Sequence, residues 1–111
     1  MQAAQGVSFG PYHLTGPRGP LVRKSLSVNL PPKALAILWE LVTRAGQVVS
    51  KAELFEALWP GTAVSDGALT FCIVELRKAL GDHAKQPKFI ETVHRRGFRF
   101  IGKVVSEQSS V

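Results

Sequence analysis

The stretch that decides the fold is Leu69-Thr70-Phe71-Cys72-Ile73-Val74-Glu75-Leu76-Arg77-Lys78-Ala79-Leu80-Gly81, followed at 89–100 by Phe-Ile-Glu-Thr-Val-His-Arg-Arg-Gly-Phe-Arg-Phe. At roughly 100° per residue, Leu69, Cys72, Ile73, Leu76 and Leu80 fall within one arc, which makes a core face. Opposite lie Gly67, Phe71, Val74 and Lys78, flanked by Thr70 and Arg77 on one side and Glu75 on the other. Ser65 is a good N-cap, Asp66 suits the positive end of the helix, and Gly81 suits its C-cap. Phe89 to Val93 and Phe98 to Ile101 read as paired strands around His94 to Gly97. A helix with one apolar face followed by a basic hairpin suits a duplex, with the helix in a major groove and the hairpin at the neighbouring minor groove.

Working outward, Ser50 and Glu53 form a capping box for a second helix through Leu54, Phe55, Leu58 and Trp59, ended by Pro60-Gly61. Pro31-Pro32 opens a first helix, with Leu35, Leu38, Trp39 and Val42 at helical spacing and Gly46 as its stop. Val48-Val49 reads as a short extended link. From Val7 to Leu30, apolar and polar residues alternate around turn signals. Leu26, Val28 and Leu30 alternate with Ser27 and Asn29, the period of a half-buried strand. The order is an N-terminal antiparallel sheet of three or four strands, three helices and a hairpin, an α+β fold. Residues 1–6 are expected to be a loose end, 7–102 the domain, and 103–111 a tail or the start of a linker.

The chain of 111 residues is long enough for one domain with its own core. Its formal charge of +6 is unevenly spread. Residues 1–30 carry three cations and no acid. Residues 31–74 nearly balance, and 75–103 carry eight cations against Glu75, Asp82 and Glu91. The excess sits where the third helix and hairpin are, which points to an anionic partner. Cys72 is the single cysteine, so no internal disulfide forms and a reducing, cytoplasmic setting is expected. No stretch reads as a secretory signal, and none is long and apolar enough to span a bilayer. His13 and His83 stand apart without a second ligand at metal spacing, Cys72 lacks a partnering base, and no glycine-rich phosphate loop is present. Neither an enzyme nor a bound metal or cofactor is expected.

Several ordered segments resemble one family. They are Leu-Pro-Pro-Lys-Ala-Leu (30–35), Gly-Gln-Val-Val-Ser-Lys-Ala-Glu-Leu (46–54), Leu-Trp-Pro (58–60), Glu-Leu-Arg-Lys-Ala-Leu-Gly-Asp (75–82) and the 89–100 stretch quoted above. Together they resemble the OmpR/PhoB-type winged helix-turn-helix domain of bacterial transcription factors. Because the match starts almost at Met1, it looks like the ToxR/CadC-like placement. The resemblance implies a four-stranded N-terminal sheet, a recognition helix at 65–80, a wing at 93–98 and sequence-specific binding of double-stranded DNA in the bacterial nucleoid. It implies phosphate contacts from Lys51 and Trp59, although Lys51 also fits a solvated position and Trp59 a core one. It further implies a polymerase-contact loop at Pro60, Gly61, Thr62, Ala63 and Val64, and head-to-tail pairing on DNA.

Within that frame the candidate DNA contacts are Thr70, Phe71, Val74, Arg77 and Lys78 on the helix and His94, Arg95, Arg96 and Arg99 on the hairpin. Cations supply affinity through phosphates, whereas Phe71 and Val74 suit thymine methyl groups. Glu75 is expected to pair with a neighbouring arginine. The apolar pair also fits an alternative, a winged helix used mainly as a protein–protein interaction module.

Overall fold

The computed structural model describes residues 6–106. The alternating N-terminal segment forms β1 (Val7–Phe9), β2 (Tyr12–Leu14), β3 (Leu21–Arg23) and β4 (Leu26–Val28). Val7, Phe9, Tyr12, Leu14 and Leu21 point into the core. The expected half-buried strand at Leu26–Leu30 is corrected at one end. Leu26 is 72% exposed, because β4 is the sheet edge and Leu26 pairs with exposed Arg23 beyond the core.

Helix α1 (Pro32–Thr43) starts on the proline pair, with Pro32 in its first turn, where a missing N–H costs nothing. Its buried stripe is Ala34, Ile37, Leu38, Leu41 and Val42. Leu35 and Trp39 only flank that stripe. The expected stripe of Leu35, Leu38, Trp39 and Val42 is therefore corrected: Leu38 and Val42 are buried, and the buried face turns toward Ala34, Ile37 and Leu41.

The Val48–Ser50 link is a strand, β5, and it pairs with the hairpin. Helix α2 (Lys51–Leu58) opens on the expected capping box: Ser50 Oγ accepts from the Glu53 N–H at 3.0 Å, and Glu53 Oε1 accepts from the Ser50 N–H at 3.0 Å. Helix α3 (Asp66–Leu80) buries Leu69, Cys72, Ile73, Leu76 and Leu80, as its periodicity requires, and ends on left-handed Gly81 with φ +66°. Ser65 occupies the N-cap position, yet its side chain makes no capping hydrogen bond.

The hairpin consists of β6 (Ile90–Val93) and β7 (Gly97–Phe100), joined by His94, Arg95 and Arg96. The Arg96 N–H closes the turn on Val93 O at 2.9 Å, and Arg95 supplies the left-handed residue at φ +62°. With β5, the hairpin makes a three-stranded antiparallel sheet in the order β5-β7-β6.

The segment from 103, expected as a tail or the start of a linker, begins with ordered residues. Val104 packs on the core, and β8 (Val105–Ser106) pairs antiparallel with β1 to complete a five-stranded sheet, β4-β3-β2-β1-β8. Gly6, assigned to the loose end, is buried. The remainder of both expected ends, 1–5 and 107–111, lies outside the described residues.

An aromatic cluster ties the N-terminal sheet to the wing. Phe9 meets Phe100 edge-on at 5.1 Å and Phe89 at 5.5 Å, and Tyr12 stacks on Phe9 at 5.5 Å. The Tyr12 hydroxyl donates to Ala79 O at 3.4 Å, so the same cluster reaches α3. Aromatic pairs at such distances contribute on the order of 1 kcal/mol each beyond area burial.

Candidate nucleic-acid interface

With its apolar stripe buried, α3 presents the opposite ridge to solvent. Phe71 is 57% and Val74 44% exposed, and Thr70 and Lys78 stand beside them. A monomeric fold gains by burying such side chains, so a ridge left open is a candidate contact surface. Glu75 pairs with Lys78 at 3.5 Å across one helical turn rather than with the expected arginine, because Arg77, two residues on, projects from the opposite flank.

Arg77 lies on the flank of that ridge and reaches across to the wing. Its Nη2 donates to Ile90 O and to Thr92 Oγ1, both at 2.9 Å, while its buried Nε has no partner among the described residues. Burial pulls the guanidinium pKa below its ordinary value, an effect that the nearby Asp82 carboxylate opposes. It remains a cation at any physiological pH. Arg77 is one of the candidate DNA contacts. In the fold, one of its nitrogens clamps helix to hairpin.

Lys51, Thr70, Val74, Arg77 and Thr92 line one shallow cleft between α3 and the base of the wing. Lys51 faces Asp66 at 4.0 Å and is otherwise open to solvent. At the far end of the hairpin His94, Arg95 and Arg96 are all exposed. Arg99 is different: its Nε donates to Glu91 Oε1 at 2.8 Å across the β6–β7 pair, so part of its charge is already neutralised. Solvent-exposed pairs of this kind contribute little to stability, so the arginine can be redirected at small cost.

Trp59 does not join the cleft. It is half-buried beside Phe55, with the Lys33 ammonium 5.4 Å from its ring centroid and Lys33 Nζ donating to Leu58 O at 2.6 Å. The following loop leaves Pro60, Gly61, Thr62 and Ala63 exposed and Val64 half-buried. Among the described residues, no group of three His, Cys, Asp or Glu side chains could hold a metal, and no helix is long and apolar enough to cross a membrane.

Two residues of this region escaped the sequence reading. Thr92 looked like an ordinary strand residue. Asp82, which counts in the sequence only as one of three acids in a basic segment, is buried, 6% exposed, and accepts from the backbone N–H groups of Lys88, Phe89 and Ile90. A usable signal existed. An acid directly after a helix C-cap opposes the helix dipole, so its presence there calls for a specific partner.

Three helices, an antiparallel N-terminal sheet and a cationic wing held beside an open helical ridge define a winged helix of the kind found in the DNA-binding domains of transcriptional regulators. Residues 25–100 match the family model described as "Transcriptional regulatory protein, C terminal", and the chain belongs to that family. The family is one of transcription regulators rather than enzymes.

Among its relatives, the transcriptional regulator HilA of Salmonella typhimurium is 40% identical over 87 residues, which cover 78% of this chain and 16% of that protein. The chain therefore spans only a small part of such relatives. Among solved structures, the DNA-binding domain of E. coli CadC superposes with a TM-score of 0.76 at 27% identity, covering 95% of this chain and 98% of that one. The Klebsiella pneumoniae RstA DNA-binding domain in complex with the RstA box superposes with a TM-score of 0.74 at 30% identity, covering 86% and 96%.

Proposed function

We propose that this chain binds double-stranded DNA sequence-specifically as the DNA-binding domain of a bacterial transcriptional regulator. The observation that carries the reading is the juxtaposition of the open α3 ridge with the Arg95–Arg96 wing tip, clamped together by Arg77. In this reading α3 lies in the major groove, where Thr70, Phe71 and Val74 meet base edges and Lys78 meets phosphate. The wing reaches the minor groove with His94, Arg95 and Arg96. Lys51 and the free Nη1 of Arg77 line the route of one phosphate strand, and Arg99 joins them by leaving Glu91. Half-buried Trp59 is assigned a flanking phosphate contact outside the cleft. The apolar character of Phe71 and Val74 favours sites with thymine methyls facing the ridge.

The same two side chains support a second reading, in which the ridge docks a protein. Binding to mixed-sequence duplexes across a salt series separates the two. A domain that neutralises several phosphates binds at low salt and weakens steeply as salt rises. A protein-docking module ignores duplex at every salt concentration. Selection of bound fragments from genomic DNA then identifies the operator. Three further assignments extend the proposal: the exposed 60–63 segment as a contact for RNA polymerase, head-to-tail pairing of two copies on adjacent half-sites, and a cytoplasmic location at the nucleoid.

A further inference from the structure

Asp82 is the one buried charged side chain among the described residues, and every hydrogen bond its carboxylate makes is to the segment that begins the wing. Oδ1 accepts from the Lys88 N–H at 2.6 Å, and Oδ2 accepts from Phe89 at 3.2 Å and Ile90 at 2.9 Å. The Asp82 N–H in turn donates to Arg77 O at 2.8 Å, which fixes the carboxylate to the last turn of α3. One turn back, Arg77 Nη2 holds Ile90 O. Ile90 is thus gripped on both sides, its N–H by Asp82 and its carbonyl by Arg77. Two attachments, one from α3 and one from the residue just past its C-cap, fix both the sliding and the rotation of β6 against α3, where a single one would leave a pivot.

We propose that Asp82 is a positioning residue for DNA binding: it sets the wing relative to α3 so that Arg95 and Arg96 engage the duplex that the helix occupies. The proposal rests on the DNA reading given above. A carboxylate suits the task because it accepts three N–H bonds at once and donates none. Bonds from N–H groups to a charged acceptor are also the stronger kind. Asp82 itself is buried and touches no DNA.

The test is a cycle of Asp82→Asn against Arg95→Ala with Arg96→Ala, read as duplex affinity across a salt series. The amide of D82N turns an N–H₂ toward N–H donors and loosens the grip. Amide exchange at Lys88, Phe89 and Ile90 should quicken while Cys72 and Leu76 on α3 stay protected. D82N alone should bind duplex about tenfold more weakly, with a log–log salt slope flatter by about two, the share of two wing phosphates. Added to R95A/R96A, it should cost nothing more.

A D82N loss that multiplies undiminished onto the R95A/R96A background, or an unchanged slope, overturns the proposal. If R95A/R96A alone leaves affinity and slope unaltered, the wing is off the DNA; the DNA reading of the wing fails and the proposal falls with it. Should D82N not fold, Asp82→Glu keeps the charge but lengthens the arm that holds the Lys88, Phe89 and Ile90 N–H groups, and is read in the same cycle. Its loss must likewise vanish in the R95A/R96A background.

Discussion

Gly97 opens β7 opposite Ser50 and Val93, at φ +150°, and a Cβ built there would overlap Val49 O and crowd the Ser50 Cα. The obstruction is backbone from β5, which cannot rotate away as a side chain would. Gly97→Ala should therefore cost roughly 2–4 kcal/mol, or push the wing off β5. A thermal or urea melt reads the first outcome and loss of duplex affinity the second.

Cys72 makes a second point at this scale. Burial in the α3 core face raises its thiol pKa, with Glu75 adding to the rise and Lys33 opposing it. The folded state therefore holds the neutral thiol more tightly than the unfolded chain does. That contribution is fully present below the ordinary thiol pKa of about 8.5 and is lost as pH rises through the higher folded value. Stability should decline between mildly and strongly alkaline pH more in the wild type than in Cys72→Ala. Thiol labelling at pH 8 should be far slower in the folded protein than in denaturant.

At the scale of elements, the proposed interface assigns different tasks to helix and wing. The wing tip is charge at a turn, so its contribution should be independent of sequence. Arg95→Ala with Arg96→Ala should weaken binding to all duplexes and flatten the salt slope by about one per lost phosphate contact. The helix ridge carries Val74, 44% exposed with no polar group to offer. Val74→Ala should change preference among sequences by about 1 kcal/mol if it meets a thymine methyl, measured by competition between duplexes differing at one T·A pair. Equal loss on every sequence would count against base reading.

The helices themselves were legible because their signals are local. Capping box, proline pair, C-cap glycine and the α3 apolar stripe each need only neighbours within a few residues. Val48–Ser50 was not legible as a strand, since three residues carry no period and the partner that makes them a strand lies some fifty residues away.

At the scale of the whole molecule, the chain folds back on itself twice. β5 joins the wing, and β8 brings the chain beyond the wing onto the edge of the N-terminal sheet. Val104 follows the wing into the core packing. Val104→Ala should thus destabilise the fold by about 1 kcal/mol, seen as a lower melting temperature, and leave the salt slope of DNA binding unchanged because α3 and the wing tip are untouched. A changed slope would mean that the return strand also sets the wing.

The amino-acid order alone determined the α+β class, the three helices, the capping box of α2, the C-cap glycine of α3, the hairpin and the face that α3 leaves open, since all follow from periodicity and turn chemistry over short spans. The tertiary structure alone decided that Arg77 is partly spent inside the fold, that Asp82 is buried, and that α1 turns Ala34, Ile37 and Leu41 inward in place of Leu35 and Trp39. Those outcomes depend on which groups meet across the chain, and a hydrogen bond from residue 82 to residues 88–90 leaves no periodic trace in sequence.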